Sequence, residues 1–506
     1  MTTLRHRQRC LFEPFFPEDL PALYEPWMRH ADRLLDDDEL LAIVWEALGR
    51  RHPQSRQHGR PATPAEVVLR LLILKHVRNW SFAVLEREVR ANALYRHFTR
   101  IGWETVPDAK TLARIARALG SEVIAQLHER LIAMARRERV VVGRKLRIDT
   151  TVVETNVHYP TDSSLLADGL RVLTRTMSRI EQAAAGAGEK LRDRMRSVRR
   201  IVMRIGRSVR SEQGAERRHA LYGKLLEIGG RVVAQARRFA AQVRQDVQQS
   251  IQPPGKVRLE GLRQQLEEMV ERVEQVRRQT KQRVFGGDPH APDKLLSVFE
   301  TTTEVIRKGK AGKPNEFGKL LKVQEAENQI VTDYEVYEKR PDDRELLIAA
   351  VQEHERRLGR TPRLVAADAG FSSAANERAM EQMGVSRVSI PNYATRDPAR
   401  RGRQKQRWFK RGQKWRTGVE GRISVLKRRH GLDRSRYPGA GRHAALGGAG
   451  SDRRQPDQHR SLPGGEGDEL STEARRPTRT ETALEPTLRS QIPTGAPSSS
   501  PFCAGK

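Results

Sequence analysis

Three carboxylates stand out for the stretches that carry them. Asp149 lies in Arg144-Lys-Leu-Arg-Ile-Asp-Thr-Thr-Val-Val-Glu154, where β-branched residues favour a buried strand. An unpaired charge delivered into a sheet core is costly. Taken singly, Asp149 reads best as the cap of a turn. A second strand-like run, Arg363-Leu-Val-Ala-Ala-Asp368, ends in another acid just before Gly370, and Glu420 follows on a helix-like segment. Three acids on separate elements can hold a divalent cation, which suits phosphoryl chemistry.

Upstream of Glu420, residues 396–416 form a basic run interleaved with Trp408, Phe409 and Trp415. Cations for phosphates beside aromatic faces for stacking suit a distorted or single-stranded nucleic acid. The candidate DNA contacts in and around it are Arg400, Arg401, Arg403, Lys405, Arg407, Trp408, Lys410, Arg411, Arg416 and Lys427. Gly402 and Gly412 interrupt the run, and a solvated loop is the competing reading. A helix is expected over 417–429, placing Glu420, Ile423 and Lys427 on one face.

The elements that must position these groups follow a definite order. Residues 1–38 read as an irregular arm. Residues 39–140 read as helical: one helix over about 38–48, one launched by Thr63-Pro64-Ala65-Glu66, a break at Asn79-Trp80-Ser81, and another from Asp108. These helices suit a helix-turn-helix DNA reader or, equally, a plain bundle with a basic face. From 161 to 294 apolar residues recur at alternating spacings of three and four, as in Leu259, Leu262, Leu266, Met269, Val273 and Val276. Those are the seams of packed helices, with breaks at Gly186-Ala-Gly188, Gln213-Gly214 and Pro253-Pro254-Gly255. Period-two alternation returns in 317–325 and 329–337 as a hairpin, followed by a helix, the Asp368 strand, a helix and a short strand at 387–390. The result is a mixed α/β sheet, assembled from 141–160 and 295–437, with a helical insertion of 161–294 after its first strand.

The totals narrow the function classes. With 94 basic against 63 acidic residues among 506, the chain carries a net charge of +31, which calls for a polyanionic partner, nucleic acid above all. Arginine-rich coding from GC-rich DNA accounts for part of that excess. Cys10 and Cys503 stand at opposite ends, so no disulfide framework or cysteine zinc site is expected. No apolar run approaches the roughly 18 to 20 residues of a membrane span, and a cytoplasmic, nucleoid-associated protein is expected.

Together these residues resemble a DDE transposase of bacterial insertion sequences, closest to the group called ISNCY. The resemblance is carried by Ile148-Asp149-Thr-Thr-Val-Val-Glu-Thr-Asn156 with His158-Tyr-Pro-Thr-Asp162, by Ala366-Ala-Asp368-Ala-Gly370-Phe371, by Gly418-Val-Glu420-Gly421-Arg422, and by a helical block from Gly59 to Phe98. It implies an RNase H-like core. Asp149, Asp368 and Glu420 would be the catalytic ligands of two Mg²⁺ (or Mn²⁺) ions about 3.5 to 4 Å apart, with Arg416 and Lys427 clamping phosphates. The implied partners are double-stranded DNA, as terminal inverted repeats and target, and a second copy of the chain. Many relatives carry Tyr, Arg, Glu and Lys at fixed spacing around the third acid; here Gln413 stands at the Tyr position.

Beyond Tyr437 the sequence loses its periodicity, and 438–506 has the composition of a disordered tail. A coding string for 442–463 exists that, read one base later, encodes Trp-Val-Gly-Leu-Gly-Val-Ile-Ala-Asp-Asn-Leu-Ile-Asn-Ile, an apolar helix. A frameshift between about 437 and 442 is therefore expected. The alternative function is an inactive DNA-binding remnant of a transposase.

Overall fold

In a computed structural model of the chain, residues 3–5, 19–50, 62–183, 189–208, 214–249, 253–288, 294–307 and 315–435 are described. The tail at 438–506, the glycine break at 186–188 and the Gly59-Arg-Pro61 start of the helical block lie outside them.

Ahead of the sheet, the described elements up to residue 137 are helical. They include α1 (Pro26–Leu34), α2 (Asp38–Gly49), α3 (Ala65–Arg78), α4 (Phe82–Ala91), α5 (Ala93–Phe98) and α6 (Ala109–Arg137). Of the irregular arm expected over 1–38, residues 26–34 are helical, while 6–18 lie outside the described residues. Tyr24, Met28 and Leu35 are buried in the same core as Leu41, Val68 and Leu112, because α1 presents an apolar stripe to α3. Local signals explain the boundaries. Asn79 closes α3 in the left-handed conformation at φ 53°, while Ser81 and Asp108 accept amide hydrogen bonds at the starts of α4 and α6. Thr63 does not cap α3, which begins one residue later than expected with Pro64 in the cap position. Arg70 is fully buried among Glu66, Asp32 and Asp36, so part of the basic excess is structural.

The sheet contains β1 (Lys145–Glu154), β2 (Glu304–Arg307), β3 (Asn315–Glu325), β4 (Val331–Val336), β5 (Leu364–Ala366) and β6 (Arg387–Ser389). Its order is β2-β3-β1-β5-β6, with β4 pairing the other half of β3's outer edge. β1 is antiparallel to β3 and parallel to β5, so it joins an antiparallel half to a parallel one. Strand β2 was not foreseen; at four residues it is too short to show a period.

Helix α7 (Asp162–Ala183), α8 (Met195–Ser208), α9 (Gly214–Gln249) and α10 (Pro253–Phe285) fill the interval between β1 and β2 and share one apolar core. Arg283 on α10 forms an ion pair of 2.6 Å with the buried Asp162 at the start of α7. The remaining helices are α11 (Leu346–Leu358), α12 (Ala374–Gln382), α13 (Pro398–Lys405) and α14 (Arg407–His430). The competing reading of 396–416 as a solvated loop does not hold: 398–405 form α13 and 407–416 the first ten residues of α14, which starts well before the expected residue 417. Gly412 is not a break. A Cβ there would meet Ser389 Oγ at 2.6 Å, so glycine is what lets the helix cross β6 closely.

Side chains alternate across β1. Leu146 and Ile148 pack against α11 and the chain around Phe371. Arg147, Asp149, Thr151 and Val153 point the other way, toward α14, where Val153 packs on Val419 and Ile423. His354 on α11 lies against the chain entering β1, its Nε2 3.0 Å from the Gly143 carbonyl. Burial holds that imidazole below the usual histidine range, and hence neutral.

Candidate active site and nucleic-acid interface

Strand register brings the two aspartates together. Arg147 pairs with Ala366 across the parallel β1–β5 ladder. Asp149, inside β1, and Asp368, just past the carboxyl end of β5, each lie two residues further on and so at the same level. Ligands in open α/β sheets bind at such carboxyl ends. Asp368 caps the turn that follows β5, its Oδ1 accepting from the Gly370 amide at 2.9 Å. The Asp149 carboxylate accepts from the Thr150 amide at 2.8 Å.

Glu420 approaches from α14 and is linked to Asp149 by a guanidinium. Arg416 Nη2 donates to Glu420 Oε1 at 2.6 Å, and its Nη1 lies 3.8 Å from Asp149 Oδ2. Arg416 and Asp149 are largely buried, whereas the Glu420 side chain is 55% exposed. The Nε of Arg416 is buried without an acceptor among the described residues.

A fourth acid, Asp343, was not read from the sequence. It lies in the turn before α11; its Oδ1 accepts from Thr150 Oγ1 at 3.2 Å. A Cβ on Gly370 would sit 3.1 Å from Asp368 Oδ1 and 3.3 Å from Asp343 Oδ2, so both carboxylates crowd this glycine. The signal was hidden because Pro341-Asp-Asp343 before a helix reads as capping. Asp342 does cap, accepting from the Arg344 amide at 3.0 Å.

Gln413, at the position where relatives carry Tyr, reaches inward. Its amide donates to the Ala367 carbonyl at 3.3 Å and to Ser389, clasping the ends of β5 and β6 behind Asp368. Lys427 also turns inward, donating to the Val152 carbonyl at 2.7 Å. Glu154 points away from the acids and pairs with Arg434 at 3.4 Å.

The expected DNA contacts divide into two sets. Arg401, Arg403, Lys405, Arg407, Lys410 and Arg411 are exposed along α13 and the first turns of α14. Arg400 is not: its side chain is 12% exposed, pairs with Glu377 and donates to Ser372 Oγ at 3.0 Å, tying α13 to α12. Trp408 is half-buried beneath the Arg387 guanidinium, 5.8 Å away. The exposed aromatic beside this tract is instead Tyr393, at 87%.

The donor set is made of carboxylate oxygens, the kind hard divalent cations take. Arg416 occupies the interval between two of them, where positive charge is demanded, and Asp343 and Asp368 add further negative charge nearby. In kind, these residues fit Mg²⁺ or Mn²⁺. Among the described residues no three acidic, histidine or cysteine groups are drawn close enough to hold an ion in this arrangement.

Comparison with known families is consistent with both halves of the chain. Residues 22–118 match the model described as Transposase domain (DUF772), and residues 294–446 match the one described as Transposase DDE domain. The second match contains Asp368 and Glu420, while Asp149 and its strand lie upstream of it. No curated protein matches the chain, and no solved structure does. No described helix is long and apolar enough to cross a membrane. The ISNCY grouping stays a resemblance. A helical region matched by one transposase model, ahead of a mixed sheet largely covered by a transposase DDE model, indicates a DDE transposase of insertion-sequence type.

Proposed function

We propose that the chain cuts and joins DNA at the ends of its element by two-metal phosphoryl transfer, with Asp149, Asp368 and Glu420 as the ligands. What supports this is the register that sets Asp149 and Asp368 at one level of adjacent strands, together with Arg416, which links Asp149 to Glu420 on the helix. The bound ions would supply an activated water or 3′-hydroxyl and stabilise the leaving oxygen. The chain's own residues do the rest. Asp149 is fixed by β1, Gln413 holds the strand end that carries Asp368, and α14 brings Glu420. Arg416, set between Asp149 and Glu420, would steady a phosphate oxygen at the same place. The exposed cations of α13 and α14 bind the flanking backbone. One copy at each terminal inverted repeat, two in all, is the assembly this implies.

The test is cleavage of duplexes carrying the element ends in Mg²⁺ or Mn²⁺. Asp149→Asn, Asp368→Asn and Glu420→Gln should each lower the rate about a thousandfold or more, the loss of several kcal/mol of charge stabilisation, with DNA binding kept. A variant that cuts at the normal rate removes its residue from the site.

A second reading, a DNA-binding remnant without activity, is supported by the tail. The DDE match ends at 446, close to the expected frameshift. An apolar cavity of about 510 Å³, lined by Leu34, Leu72, Ile73, Leu127 and His430 among others, lies at the end of α14, the kind of lining an apolar helix after Ser435 would cover. Restoring the frame near codon 440 should then raise both melting temperature and metal-dependent cleavage. Equal melting and cutting by both forms would dismiss this reading.

A further inference from the structure

We propose that the outer face of α8, in the helical insertion, is a second DNA-contacting surface that grips the phosphate backbone of duplex DNA without reading its sequence. This rests on the reading that the chain acts on DNA. Helix α8 packs on α7 and α9 through Met195, Val198 and Ile205. Arg196, Arg199, Arg200, Arg204 and Arg207 are exposed on its other side. Their spacings of three and four make one continuous stripe.

The rest of the insertion shows what a merely solvated arginine looks like in this protein. Arg231 pairs with Glu227, Arg263 with Glu260, Arg272 with Glu268 and Arg277 with Glu274 within their helices, and Arg237 reaches Glu274 between α9 and α10. Helix α8 contains no acidic residue at all, and none of its five outward arginines is ion-paired among the described residues. The nearest carboxylate in sequence, Asp193, accepts from the Met195 amide at 2.7 Å to start the helix. GC-rich coding raises arginine everywhere, but it does not strip carboxylates from one helix of four. Like charges at this spacing repel and weaken a helix, so the stripe calls for an external polyanion.

The chemistry of the face selects the partner. Arginine prefers phosphate, which it meets with a planar fork. No aromatic side chain stands among these arginines for bases to stack on, which argues against single strands. Met203, 58% exposed, is the apolar member of the stripe. A helix of 14 residues is about 21 Å long, the length of roughly six phosphate steps along one strand. Contacts of this kind position DNA and carry no sequence information. The surface therefore suits duplex DNA of any sequence.

The experiment measures binding of the full chain to a duplex with the element end and its flanks, across a series of salt concentrations. In the variant with Arg196→Gln, Arg199→Gln, Arg200→Gln and Arg204→Gln together, the slope of log K against log salt should fall by about 3 to 4, near 0.9 per lost contact. Affinity should drop at least tenfold, and by the same factor on an unrelated duplex of equal length. Lysine at the same four positions should restore most of the slope. An unchanged slope and affinity in the glutamine variant, with the parent chain binding normally, would overturn the proposal, as would a lysine variant as weak as the glutamine one. A parent chain that binds no duplex at all would fell the transposase reading, and this inference with it.

Discussion

Two clusters of arginine and carboxylate sit two residues apart on the same face of β1, under the same helix, and they do opposite things. In the first, Arg147 donates to Glu325 Oε2 at 2.6 Å and to the Trp415 carbonyl at 2.5 Å, while Arg422 donates to Glu325 Oε1 at 3.0 Å. Arg147 is 4% exposed and Glu325 not at all. The Trp415 ring lies 4.9 Å from the Arg147 guanidinium carbon and closes the site. In the second, Arg416 faces Asp149 and Glu420, with Asp343 and Asp368 close by. The first has more cation than anion and is shut. The second has more anion than cation and its glutamate is open to solvent. A buried ion pair is tolerated when every partner is met; an open surplus of carboxylates is what a metal requires.

The largest effect should come from breaking the closed cluster. Glu325→Gln leaves the Arg147 charge buried and uncompensated, at a cost of about 3 to 5 kcal/mol, with a clear drop in melting temperature. Glu420→Gln should change stability by no more than about 0.5 kcal/mol yet abolish cleavage. If both variants melt alike, the distinction between the clusters is wrong.

The glycines of Gly418-Val-Glu-Gly421 give a subtler contrast. A Cβ at Gly418 would collide with the Arg147 guanidinium, whereas at Gly421 nothing lies within 4 Å. Gly418→Ala should cost about 1 to 3 kcal/mol through overpacking. Gly421→Ala should stabilise α14 by about 0.5 to 1 kcal/mol from helix propensity. Chemical denaturation of the two variants checks the order; a tolerated Gly418→Ala would mean that Arg147 does not run beneath the helix.

A last effect, read in ion binding rather than in stability, concerns Arg416. Removing its partial neutralisation of Asp149 and Glu420 should tighten Mn²⁺ binding by about fivefold, equivalent to roughly 1 kcal/mol. Arg416→Gln followed by titration calorimetry measures this directly. Weaker Mn²⁺ binding would show that Arg416 shapes the ligand site rather than competing with the ion.

Much of this was legible because period and position coincide. Asp149 sits in a run whose β-branched residues favour a strand, and Asp368 ends another, so register did the remaining work. The seams of the insertion are equally plain: Leu266, Val273 and Val276 are fully buried. What escaped reading depends on partners distant in sequence. Nothing in the stretch 144–149 marks Arg147 as core; its place two residues before Asp149 puts it on the same face, and Glu325 and Trp415 show it buried there. Asp343 was masked by a capping pattern. The start of α14 was obscured by arginine density and by Gly412, whose reason is the nearness of Ser389.

The clasp between Asp162 and Arg283 has a consequence for the order in which the protein comes into being. β1 leaves the ribosome long before its neighbours β3 and β5 exist. Had the intervening chain stayed loose, bringing them together would carry the entropy of closing a very long loop. With the two ends of the insertion fastened by a 2.6 Å ion pair, that stretch can fold by itself first and present the sheet with two adjacent ends. At roughly 5 to 20 residues per second, synthesis of Glu420 follows that of Asp149 by tens of seconds. Throughout that interval the nascent chain holds one ligand of its site without the others.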